Sequence, residues 1–105
     1  MIFETLHESA KRGELMLIDN GFCHWHLRRN GQITIREIIS TKPGAGSKML
    51  ANLIIIGRQR QANSLFAKCP ADLRSNEWYA KRGFALENTE KTRTGRELKL
   101  WRFQL

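Results

Sequence analysis

Hydrophobic positions change their period five times along this chain, and the changes mark its elements. Residues 1–12 carry Ile2, Phe3, Leu6 and Ala10 at helical spacing, and Gly13 stops the helix so predicted. Leu15-Met16-Leu17-Ile18 reads as a strand closed by the turn Asp19-Asn20-Gly21. A second strand runs from Phe22 to Arg29, and Asn30-Gly31 turns it back. Gln32 to Ser40 is the third strand, with Ile33, Ile35, Glu37 and Ile39 expected on one face by strict alternation. Three strands joined by tight turns make an antiparallel meander.

Past Lys42-Pro43-Gly44-Ala45-Gly46-Ser47 the period becomes helical. Met49, Leu50, Leu53, Ile54 and Gly57 share one side from Ser47 to about Gln61, with Arg58 and Arg60 where cations suit the helix dipole. Ser64 to Cys69 reads as a short buried strand ended by Pro70. Residues 72–82 form a further helix, closed by Gly83 in the position just past a helix end. Phe84 to Asn88 and Glu97 to Phe103 are the last strands, joined by a polar turn through Gly95. The order is a mixed α/β (α+β) design, expected to form one domain over residues 1–105.

Composition narrows the picture less than the pattern does. No run of about 18 apolar residues exists to span a membrane, and Met1-Ile2-Phe3-Glu4 lacks the regions of a signal peptide. A cytoplasmic location is the expectation. Two cysteines, Cys23 and Cys69, lie outside any CxxC pair and are read as reduced thiols. The formal charge of +8 favours anionic partners: a nucleotide-like cofactor, an acidic protein surface or nucleic acid.

The candidate chemistry sits between the third strand and the helix that follows. Gly44 and Gly46 stand where an extended chain must turn sharply and begin a helix, leaving backbone N–H groups free to close on an anion. Lys42 and Lys48 bracket the loop with positive charge. The GxxxxGK[ST] spacing of a Walker loop is absent, and so is the third glycine of a dinucleotide fold.

A second segment gives the loop a context. Trp78-Tyr79-Ala80-Lys81-Arg82-Gly83-Phe84 resembles the aromatic-Tyr-x-Lys-x-Gly-Phe stretch of the GNAT acetyltransferase superfamily. Gly44-Ala45-Gly46 resembles that family's pyrophosphate loop, in the family's order, with one helix and one strand between. The resemblance covers roughly residues 14 to 105. It implies a mixed, mostly antiparallel six-stranded sheet flanked by helices, in which the third strand splays from Ser64–Cys69 to admit acetyl-CoA. It further implies acetyl transfer to an amine by direct attack. The backbone of Gly44, Ala45, Gly46, Ser47 and Lys48 would hold the pyrophosphate, aided by Lys42. Main-chain groups of Ile38, Ile39 and Ser40 would pair with the pantetheine arm, Asn76 would lie along the cofactor, and Tyr79 would protonate the leaving thiolate.

Departures from the family pattern shape further expectations. Thr41 replaces the usual Gln or Arg, and Pro43 removes one loop donor. The family carries a strand and two helices before the meander, whereas residues 1–13 alone precede it here. An acceptor side so truncated suits a protein or peptide amine, a site completed by a second subunit, or a domain that binds acyl-CoA without turnover. Glu37 is the candidate general base, with His24 and His26, alternating on one strand face, as alternatives. A third ligand that would make those histidines a metal site is not evident. Trp25, Trp78 and Trp101 are read as core or cofactor-facing aromatics. The basic run Lys81-Arg82 with Lys91, Arg93, Arg96, Lys99 and Arg102 lacks an interleaved aromatic platform, so nucleic acid ranks last among the partners. Chains with Lys68-Cys69-Pro70, Asn76-Glu77-Trp78-Tyr79 and Gly83-Phe84 also look like those encoded by bacteria and their phages.

Overall fold

The computed structural model describes Glu4, His7 and residues 10–105. Its elements follow the order β1 (Leu15–Ile18), β2 (Gly21–Leu27), β3 (Gln32–Ser40), α1 (Ala45–Gln59), β4 (Ser64–Pro70), α2 (Ser75–Lys81), β5 (Ala85–Lys91) and β6 (Glu97–Gln104). Glu4, His7, Ala10 and Lys11 are helical, while Ile2, Phe3 and Leu6 of the expected first helix lie outside the described residues.

The six strands form one sheet in the order β1-β2-β3-β4-β6-β5. Every neighbouring pair is antiparallel except β3–β4. That pair must be parallel because α1 is the crossover between them. Its register spans only Gln32↔Ser64 to Ile35↔Ala67, so the strands part beyond Ile35. This is the mixed, mostly antiparallel sheet expected from the sequence.

Both helices pack on one face of the sheet. The core joins Cys23, Trp25, Ile33 and Ile35 of the meander to Met49, Leu50 and Leu53 of α1. It continues through Leu65, Ala67 and Cys69 of β4 to Tyr79, Phe84 and Trp101. The predicted apolar side of α1 is the one that is buried, whereas Ile55 faces solvent at 55% exposure. Close packing explains two glycines. A Cβ on Gly46 would stand 3.2 Å from Cζ2 of Trp78, so the start of α1 and the body of α2 nearly touch. A Cβ on Gly57 would meet Leu105 Cδ1 at 2.7 Å.

One expectation fails in an informative way. Strict alternation placed Ile33, Ile35, Glu37 and Ile39 on a single face. Instead Trp25 pairs with Ile35 and His24 with Glu37, leaving Arg36 as an extra, unpaired residue. This β-bulge shifts the pleat by one position. Ile38, opposite Cys23, therefore packs on the core with Ile33 and Ile35, and Ile39 is 49% exposed on the other face. Glu37 is carried to the face away from α1 and α2, beside His24.

Several boundaries also move; β5, expected from Phe84 to Asn88, runs from Ala85 to Lys91. β2 ends at Leu27, where Arg28 N–H bonds to Gln32 and starts the turn. α1 begins at Ala45 because Gly44 takes the left-handed conformation (φ 90°) just before it. α2 begins at Ser75 and not at residue 72, since Leu73 N–H bonds back to Pro70 in a turn that Asn76 then clamps.

Candidate active site

Where β3 and β4 part, a cleft of 410 Å³ opens between them. That is the size range of small-molecule sites. Glu37, Ile38 and Ser40 of β3 line it on one side, Lys68 and Cys69 of β4 on the other. Gly46 stands at its α1 end, and Arg74, Trp78 and Tyr79 close it from α2. Pairing of Glu37–Ser40 continues only towards β2, so from Arg36 to Ser40 the β4-facing backbone edge has no strand partner.

The α1 end of the cleft is built to receive negative charge. First-turn N–H groups of a helix have no intrahelical acceptor. Here no side chain caps them and no acidic residue occupies the first turn. Gly44 has nothing within 4 Å of a would-be Cβ, so its approach is open. Arg82 Nε donates to Ser47 Oγ at 2.8 Å, and its guanidinium lies 5.6 Å from the Trp78 ring centroid. A cation is thus fixed at the helix N-terminus, adding to the partial positive charge of the dipole.

Tyr79 is held from three sides. Its ring stacks on Trp101 at 6.4 Å and meets Phe84 and Trp78 edge-on at 5.1 and 5.2 Å. It is 6% exposed, yet its hydroxyl makes no hydrogen bond among the described residues and the side chain lines the cleft. Burial, with the nearby Cys69 and Cys23, raises its pKa well above the phenol range. The hydroxyl therefore stays protonated at any physiological pH. Burial pushes the Cys23 thiol up to about 12 and also raises Cys69, so both are inert, free thiols.

The remaining sequence-predicted residues separate into groups. Ile38, Ser40 and Gly46 line the cleft with Glu37 and Tyr79. Lys42, Gly44, Ala45, Ser47 and Lys48 form the loop and first turn next to it, with Lys42 and Lys48 exposed. Ile39 contributes no side chain, because the bulge points it away. Asn76 is engaged within the protein: its Nδ2 donates to the Pro70 and Leu73 carbonyls at 2.8 Å each, and its Oδ1 accepts from Trp101 Nε1 at 2.9 Å. It holds the turn that sets α2 against the cleft. Thr41, the departure from the family loop, bonds instead to Asn20, tying the loop to the β1–β2 turn.

The two histidines part company although both lie on the face away from α1 and α2. His26 Nδ1 lies 2.9 Å from Glu14 Oε1, and Glu14 also accepts from Leu27 N–H at 2.9 Å. Burial opposes ionisation of Glu14, but those hydrogen bonds and the charges of His26 and Arg12 outweigh it, and its pKa is lowered. His24 stands across from Glu37, and burial, then the charge of Arg36, lower its pKa, so it is neutral at pH 7.

Reasoning from the sequence missed Arg36, Lys68, Cys69, Arg74 and Ser75 as cleft residues, and Arg82 as the cation on Ser47. Arg82 lay inside the quoted motif at an unspecified position. The others come together only because two strands distant in sequence diverge. Of the tryptophans, Trp25 and Trp101 are core and Trp78 faces the cleft.

The sequence matches no family model and no curated protein. Solved structures of the same shape do exist. One is assigned to the GNAT acetyltransferase family in Desulfovibrio desulfuricans, at TM-score 0.72 and 20% identity, covering 81% of this chain and 61% of that one. Another, assigned as a streptothricin acetyltransferase from Bacillus anthracis, was solved with acetyl coenzyme A; it has TM-score 0.73 and 14% identity, covering 81% and 55%. A ribosomal-protein-alanine N-acetyltransferase from Brucella melitensis has TM-score 0.76 and 18% identity, covering 98% and 76%. This chain spans less than two thirds of the length of the first two. At such identities the likeness is one of architecture: the chain has the fold of the GNAT acetyltransferases.

Proposed function

We propose that the chain transfers an acetyl group from acetyl-CoA to an amine, with the β3–β4 cleft as its site. The observation that carries this reading is the 410 Å³ wedge between parting parallel strands, which ends on the uncapped N-terminus of α1. The residues present fit the cofactor. Open N–H groups of Gly46 and Ser47, with Arg82 beside them, suit a pyrophosphate. The unpaired backbone edge of Arg36–Ser40 suits an amide-bearing arm that adds as a strand does.

Acetyl-CoA supplies the activated thioester. Transfer to an amine forms a C–N bond and breaks a C–S bond, so one proton must leave the nitrogen and one must reach the sulfur. Tyr79 presents a permanently protonated hydroxyl to the cleft. Its high pKa makes it chiefly a hydrogen-bond donor to the departing sulfur. Full proton delivery becomes favourable only as the site's low polarity raises the basicity of the thiolate too. On the amine side, Glu37 lines the cleft and His24, neutral and opposite it in the β2–β3 register, is the companion base.

Thermal unfolding with and without acetyl-CoA tests the reading. Ligand at about 100 times its dissociation constant adds about 2.7 kcal/mol, roughly 10 °C for a domain of this size. Gly46→Glu sets a carboxylate at the helix N-terminus and a side chain against Trp78, and it should abolish the shift. No shift in the parent chain at millimolar ligand removes the proposal.

A further inference from the structure

The sheet has a second face, turned away from α1 and α2. Leu17, Phe22 and Ile39 line up there in one cross-strand row, with Leu17 75% and Ile39 49% exposed. Next to this region a groove of 620 Å³ runs over Thr34, Phe66 and Leu100. Its charged lining is Arg28, Arg36 and Lys68, with no carboxylate. Lys68 is shared with Glu90 at 2.9 Å, whereas no carboxylate among the described residues pairs with Arg28 or Arg36. Arg36 and Lys68 line both this groove and the β3–β4 cleft. The two cavities are therefore neighbours at the place where the strands part. Arg36 stands at that place because the bulge leaves it unpaired.

We infer that this groove docks an acidic polypeptide segment of the amine acceptor, whose amine then enters the cleft between β3 and β4. The inference rests on the transferase reading for its second half and on the groove alone for its first. Arg28 and Arg36, with no carboxylate partner among the described residues, fit a chain that carries carboxylate side chains. A second copy of this chain is disfavoured, since both copies would carry +8. Nucleic acid fits less well. The one aromatic ring of the groove, Phe66, is 7% exposed and covered by Arg102 at 4.8 Å from its centroid, which leaves no face for a base to stack on.

The test uses the full chain and two labelled peptides with a free amine, identical except that Asp and Glu in one are Lys in the other. Binding is read by fluorescence anisotropy without cofactor, at low and high salt. Coenzyme A release is read separately with acetyl-CoA present. The acidic peptide should bind about tenfold more tightly than its basic twin, and added salt should erase the difference. Arg28→Glu, an exposed substitution outside the cleft, should reverse the preference so that the basic peptide now binds better. A merely misfolded variant would lose both peptides and gain neither. Charge preference without coenzyme A release would support the groove and sink the transferase reading. Release with no charge preference, or a preference untouched by Arg28→Glu, overturns the groove and leaves the transferase reading standing. Displacement of the acidic peptide by a single-stranded oligonucleotide that binds the groove more tightly also overturns it, in favour of nucleic acid.

Discussion

Replacing Asn76 by alanine separates a structural role from a cofactor-contacting one. The side chain makes three hydrogen bonds and is 6% exposed. Two of its acceptors keep other partners: Pro70 O also receives Leu73 N–H, and Leu73 O receives Asn76 N–H. Those losses therefore cost only the net value of a hydrogen bond, about 0.5–1.5 kcal/mol each. Trp101 Nε1 is different, because its bond to Asn76 is buried. Orphaning that donor costs about 1–3 kcal/mol. The sum is about 2–6 kcal/mol, a large share of the 5–15 kcal/mol typical of a domain. It corresponds to a fall in Tm of about 10 °C or more. Urea denaturation with tryptophan fluorescence reads the loss and reports on Trp101 itself. Asn76→Asp should be at least as damaging, since a carboxylate would face two carbonyl oxygens. Loss under about 1 kcal/mol, coupled with weaker acetyl-CoA binding, would refute the structural role and restore Asn76 to the cofactor.

Tyr79→Phe keeps the three ring contacts and removes a hydroxyl without a partner, so stability should stay within about 0.5 kcal/mol. Turnover should fall by 10² or more if the hydroxyl serves the departing sulfur, roughly the value of a general acid; equal rates in single-turnover assays would exclude that role. Arg82→Ala removes the cation on Ser47 and should raise the Kd for acetyl-CoA several-fold while barely moving the apo Tm, as befits an exposed contact. Unchanged affinity by calorimetry counts against a phosphate there. Glu14 has a depressed pKa, so its contribution to stability is present above the ordinary glutamate value of 4.5 and is lost as pH falls through the folded-state value. Glu14→Gln should then show a smaller loss of urea midpoint than the parent between neutral pH and about pH 3, and parallel losses would contradict the assignment.

Local rules made much of the fold legible. The strand over Leu15–Ile18, the helix after Gly44, the buried strand at Ser64 and the stop at Gly83 follow from period, turn chemistry and glycine placement. These signals act within a few residues, so a sequence displays them. The glycine turn before α1 and the place of Tyr79 were legible for the same reason, since strand–loop–helix geometry and a short motif are local. What the sequence hid came from relations between strands. The bulge at Arg36 depends on how β2 and β3 register, and no alternation pattern announces one extra residue. It exchanged Ile38 for Ile39 in the core and set Glu37 beside His24. The family resemblance implied a place along the cofactor for Asn76, whereas its oxygen accepts from Trp101, 25 residues on.

The sequence by itself determined the elements, their order and the glycine turn that opens α1, because helix and strand period, glycine conformation and helix-end donors are properties of neighbouring residues. Only the tertiary structure decided which side chains share the cleft and that Arg36 and Lys68 line both it and the groove beside it. The reason is physical: a parallel pair that separates after Ile35 and Ala67 brings together residues more than 30 positions apart, and where two strands stop pairing is set by everything packed around them.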